Sequence, residues 1–164
     1  MSVLGELQPN KVFKYFEEIC SIPHGSRNLQ QISDYLVDFA KAHELKYRQD
    51  EDLNVIIWKD GSKGYEASEP VILQGHMDMV AVKEADCDKD MEKEGLDLEI
   101  NGDYISAKGT SLGGDDGIAV AYTLAVLDDE EMAHPPIEAI FTVNEEIGML
   151  GAATIDVSDL KGRL

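Results

Sequence analysis

Two short apolar runs limit what this chain can become, because each leads straight into ionisable residues. Val71 to Gln74 (VILQ) is followed by Gly75, His76, Met77 and Asp78, and Ile137 to Val143 (IEAIFTV) by Asn144, Glu145 and Glu146. Runs of this length, rich in β-branched residues and bounded by turn formers, read as strands. VILQ, apolar on both faces, is expected in the centre of a sheet. NVIIW at residues 54–58, closed by Asp60-Gly61, is a further strand, and LEING with DYISA forms a hairpin.

Helical stripes alternate with these strands. After Pro9, Val12, Phe13, Phe16, Ile19 and Cys20 recur at three- and four-residue steps, placing a first helix before Pro23. Leu29, Ile32, Leu36 and Phe39 mark a second, capped by Ser26 or Asn28 and running to about Glu44. Ile118 to Leu127 is apolar nearly all round, as a helix buried against a sheet should be. Residues 83–97 show no period and read as a solvated loop. IGMLGAATIDVSDLKGRL reads as a short helix, a turn and the first residue of a further strand. The alternation predicts an α/β sandwich around a mixed sheet, with ligands beyond the carboxyl ends of the strands.

Charge and composition narrow the function. Fourteen Lys and Arg against 33 Asp and Glu give a net charge of −19, a field that repels phosphate backbones and anionic membranes and attracts cations. Nucleic acid and membrane are therefore not expected as partners. Cys20 and Cys87 are far apart and lack a CxxC context, so they read as reduced thiols rather than a disulfide or a thiolate metal site. The start MSVLGELQPNKVF has no basic segment followed by an apolar run, and no stretch approaches the length of a membrane span. The expectation is a cytoplasmic protein of one domain.

Three clusters carry chemistry. His76 and Asp78 lie two apart in extended chain and share a side, where a carboxylate can fix the imidazole tautomer that leaves the other nitrogen free for a metal. Asp115 and Asp116 are wrapped in glycine just before a helix (SLGGDDG), where bare backbone admits an ion or substrate. Glu145 and Glu146 follow a buried strand. Singly these are a surface pair, a helix cap and a solvated pair. Their convergence on the ends of one sheet favours a hydrolytic site for Zn²⁺, Mn²⁺ or Co²⁺.

GHMDMV, TSLGGDDGIAVA and NEEIGMLGA, in this order and spacing, together with the opening PNKVFKYFEEICSIPHGS, resemble the aminoacyl-histidine (cytosol nonspecific) dipeptidases of the di-zinc exopeptidase superfamily. The resemblance covers essentially the whole chain. It implies a three-layer α/β sandwich with a mixed central sheet, the phosphorylase/hydrolase-like catalytic domain of zinc peptidases, and two bound zinc ions. It makes His76 a ligand of one metal, Asp115 the bridging carboxylate and Glu146 a ligand of the other. Asp78 would orient His76, and Glu145 would be the general base. It also implies a cis peptide between Asp115 and Asp116, and dipeptides such as β-alanyl-histidine as substrates.

Family members are considerably longer. By that pattern residues 1–164 are the amino-terminal part of a catalytic domain, with three of five metal ligands and no lid domain. The lid is where the resemblance places homodimerisation. The 164 residues alone are then expected to be inactive or nearly so. His24, His43 and His134 have no metal-ligand context. Two other readings stay open: another di-zinc exopeptidase such as an aminoacylase, tripeptidase or carboxypeptidase-like enzyme, and a noncatalytic acidic domain that binds divalent ions.

Overall fold

The fold follows from where the apolar runs can be covered. A computed structural model describes residues 2–162. Its elements in chain order are α1 (Asn10–Cys20), α2 (Gln30–Ala42), β1 (Lys46–Gln49), β2 (Val55–Lys59), β3 (Val71–His76), β4 (Leu98–Asn101), β5 (Tyr104–Ala107), α3 (Gly114–Leu127), β6 (Ile137–Thr142) and α4 (Leu150–Thr154). Four strands form a sheet in the order β1-β2-β6-β3, and β4 and β5 pair as a separate hairpin. β6 runs antiparallel to β2 and parallel to β3, so the sheet is mixed as expected.

Residues alternate across β6, the strand buried along its whole length. Ile137, Ala139 and Phe141 join Val55 and Ile57 of β2, Phe16 and Ile19 of α1, and Val120 and Leu124 of α3 in one core. Each large apolar side chain buried there contributes about 1.5–3 kcal/mol. The opposite face, with Ile72, Gln74, Ile140 and Thr142, is overlain by α4 and residues 155–162, with a groove of about 710 Å³ between. Helices, sheet and this returning segment make three layers. Glu138 of β6, 4% exposed, anchors the third layer by accepting N–H bonds from Lys161 and Gly162.

Three expectations need correction. β3 is not central: among the described residues it pairs only with β6 and forms a sheet edge. Its Ile72 and Leu73 are partly covered, Ile72 beside the groove under the third layer and Leu73 against the core on the other face, with no strand on the far side among the described residues. β1 was not anticipated, because KYRQ is a half-exposed edge without an apolar signature. Neither Ser26 nor Asn28 caps α2, whose N-cap is Leu29 with no side-chain bond; their side chains bond Asp78 and the Glu92 carbonyl instead. Residues 83–97 form an exposed, irregular loop as expected, tied down where the largely buried Lys89 donates to the Gly95 carbonyl and pairs with Asp97 at 3.1 Å. The further strand expected at the end of the chain lies outside the described residues. No helix among them is long and apolar enough to cross a membrane.

Candidate metal centre

The parallel pairing of β3 and β6 sets His76 opposite Thr142, so both strands release their chain at the same edge of the sheet. His76 is 7% exposed. Its Nδ1 lies 3.0 Å from the main-chain carbonyl of Asp78 and 3.6 Å from Asp78 Oδ1. Both contacts assign the Nδ1 proton to the Asp78 side and turn Nε2 outward.

Beyond β6 the chain reverses at Asn144, whose φ of 53° is left-handed, a conformation asparagine tolerates better than most residues. Two amides support the turn: Asn54 Oδ1 accepts the Val143 N–H at 3.1 Å, and Asn144 Oδ1 accepts the Arg27 N–H at 2.8 Å. The reversal aims the next two N–H groups at Asp78. Glu145 donates to Oδ1 at 3.0 Å and Glu146 to Oδ2 at 3.4 Å, while the Ser26 hydroxyl donates to Oδ2 at 2.8 Å.

Asp115 arrives from a third direction. Gly113 precedes α3 with φ 68°, and a Cβ there would sit 2.9 Å from Met79 Sδ, so only glycine fits. The Asp115–Asp116 peptide is cis, as the resemblance implied. Regular helix begins after it, because Asp115 and Asp116 themselves lie outside helical φ/ψ. Asp115 Oδ1 is 3.2 Å from His76 Nε2, and its side chain is 90% exposed. Asp116 turns inward, where its Oδ2 accepts the His76 N–H at 3.3 Å.

Charge is concentrated accordingly. The Asp78 carboxylate, with the Asp78 carbonyl and Asp115 adding to it against the effect of burial, pushes the His76 imidazole up to about 9. Burial pushes Asp78 up, but the bonds from His76, Glu145, Ser26 and Glu146 together outweigh it and hold the carboxyl below its usual range. Burial raises Asp116.

Glu145 Oε2 lies 3.8 Å from His76 Nε2, and His76, Glu145 and Glu146 each offer a ligand atom within 4.8 Å of the others. Imidazole nitrogen and carboxylate oxygen facing one another across such distances fit a borderline divalent cation, whose charge would relieve the crowding of carboxylates. The other histidines stay away from this point. His24 Nδ1 bonds the Ile22 carbonyl, His134 Nδ1 the Pro135 carbonyl, and His43 Nδ1 lies 3.5 Å from Asp128. Ser26, Asn54 and Asn144 are parts of the site that the sequence did not reveal. They act through single long-range hydrogen bonds, which leave no periodic trace.

No protein-family model matches the chain. Cytosol non-specific dipeptidase of Escherichia coli K12 is 41% identical to it over 152 residues, which is 93% of this chain and 31% of the relative. The crystal structure of aminoacylhistidine dipeptidase from Vibrio alginolyticus matches with a TM-score of 0.93 and 40% identity, over 97% of this chain and 32% of that one. A tripeptidase from Staphylococcus aureus shares the fold, with a TM-score of 0.77 at 24% identity over 96% of this chain and 42% of its own. The chain spans about a third of the length of the two dipeptidases. Over more than nine tenths of its residues it is a relative of the cytosol non-specific and aminoacylhistidine dipeptidases, corresponding to one part of those longer proteins.

Proposed function

We propose that these residues belong to a metal-dependent dipeptidase of the cytoplasm, acting on dipeptides such as β-alanyl-histidine with two zinc ions, or manganese or cobalt in their place. The observation that carries the reading is the meeting of His76, Asp115, Glu145 and Glu146, from three separate segments, around one imidazole nitrogen. In this reading His76 would ligate one metal, Glu146 the other, and Asp115 would contribute to both. With one of the four side chains reserved for proton transfer, water or further donors would complete two coordination shells.

A bound divalent ion would supply Lewis acidity, lowering the pKa of water and polarising the peptide carbonyl. Asp78 keeps the His76 imidazole oriented with Nε2 outward. Glu145 takes the proton from the attacking water and returns it to the leaving amine. Its backbone is fixed by Asp78 while its side chain remains half-exposed, which leaves the carboxylate room to move between those two positions.

Two measurements test the reading. Zinc titration by calorimetry should show binding that Asp115→Ala weakens strongly. In a polypeptide of the relatives' full length carrying these residues, Glu145→Ala should abolish hydrolysis of β-alanyl-histidine while retaining most of the bound metal. Equal zinc binding by both chains, or undiminished turnover in the Glu145 variant, overturns it.

A further inference from the structure

The segment from His24 to Arg27 is held to the sheet without help from the Ser26 side chain. The Met79 N–H donates to the His24 carbonyl at 3.1 Å, and the Ser26 N–H donates to the Met79 carbonyl at 3.1 Å. These bonds make Gly25 and Met79 a parallel bridge. Gly25 packs so closely that a Cβ there would lie 2.7 Å from Ala81 Cβ. Arg27 continues the hold through its N–H bond to Asn144. Main-chain bonds thus fix the place of Ser26, and its hydroxyl is free for another task.

That hydroxyl donates to Asp78 Oδ2 at 2.8 Å, the shortest of the three bonds this 1%-exposed carboxylate accepts from Ser26, Glu145 and Glu146. Without it, Oδ2 keeps only the 3.4 Å bond from the Glu146 N–H. A buried carboxylate short of a donor turns toward whatever proton remains, here His76 Nδ1 at 3.6 Å from the other oxygen. That rotation would loosen its grip on the Glu145 and Glu146 amides, and the two glutamates would shift relative to His76.

We propose that Ser26 is a positioning residue of the metal centre: its hydroxyl locks the Asp78 carboxylate in the one orientation that serves both the His76 imidazole and the backbone of Glu145 and Glu146. The proposal rests on the metal-centre reading given above. Threonine in this place would supply the same donor from the same Cβ, whereas alanine would not. Partners one step removed from a metal ligand typically change affinity or activity by about 10- to 100-fold.

The test compares the native chain with Ser26→Ala and Ser26→Thr, using Zn²⁺ calorimetry and the visible spectrum of bound Co²⁺. All titrations are run well below each variant's melting temperature, so that loss of folded protein does not enter the affinity. Ser26→Ala should bind Zn²⁺ about 10- to 100-fold more weakly and shift the Co²⁺ absorption bands, and Ser26→Thr should restore both. Native affinity and an unchanged Co²⁺ spectrum in Ser26→Ala overturn the positioning role and leave the metal centre standing. Failure of the native chain itself to bind either ion removes the metal centre, and the role of Ser26 with it.

Discussion

His76 Nε2 lies 3.2 Å from Asp115 Oδ1, although 39 positions separate the two residues. One comes from the buried end of a half-exposed strand and the other from an exposed peptide ahead of a helix. The contact is therefore made by tertiary structure alone, and it brings an imidazole and a carboxylate to the distance at which a proton or a metal ion can sit between them.

Proton and metal compete for that place. In the metal-free chain the imidazole titrates at about 9, so at neutral pH a metal must first displace a proton. Zinc affinity should rise with pH by up to about tenfold per unit between 7 and 9 and flatten above. Calorimetry at several pH values, in buffers of different ionisation enthalpy, should show about one proton released from this site per binding event at pH 7. Without metal the sign reverses. The charged His76 stabilises the fold fully below its unfolded value of about 6.5, and this contribution disappears as pH rises through about 9.

Asp115 separates function from stability. Its side chain is 90% exposed, so Asp115→Ala should change unfolding free energy by no more than about 0.5 kcal/mol in urea denaturation. The same substitution should move the His76 imidazole back toward its ordinary value, visible in NMR titration of its ring protons, because a nearby negative charge is lost.

Asn54 should behave in the opposite way. It is 1% exposed, accepts the Val143 N–H and donates to Asp50. Asn54→Ala leaves that buried amide without a partner, which costs about 1–3 kcal/mol. Urea denaturation reads the loss. Zinc binding should also weaken, because Val143 leads directly into the Asn144 turn that carries both glutamates.

The cysteines should differ in reactivity. Burial pushes the Cys20 thiol up to about 12, while Cys87 is partly exposed. A disulfide reagent at pH 8 should modify one thiol in the native chain and two in denaturant. Rapid modification of both in the native chain would mean that α1 opens readily.

Much of the fold could be read because its decisive segments are apolar. β6 is buried along its whole length and α3 over most of its faces, and their sequences carry little else. β1 escapes such a reading because an exposed edge strand such as KYRQ is selected for polarity. β3 reads as central because hydropathy records what covers a strand and not how many strands flank it. In the site, the four ionisable residues are recognisable from short motifs. Their supports are not, since the Ser26–Asp78 bond spans 52 residues and the Asn54–Val143 bond 89. Ser26 ahead of α2 also resembles an ordinary helix cap.

The pairing of His76 with Thr142 has a further consequence. Strand registers differ in steps of about 3.3 Å, and a one-residue slip also sends every side chain to the opposite face. A slipped β3 would carry the imidazole away from the glutamates by more than the tolerance of any coordination bond. An ion that binds here therefore discriminates between the native alignment of two strands and its nearest mistakes, serving the folding chain as a gauge of its own assembly.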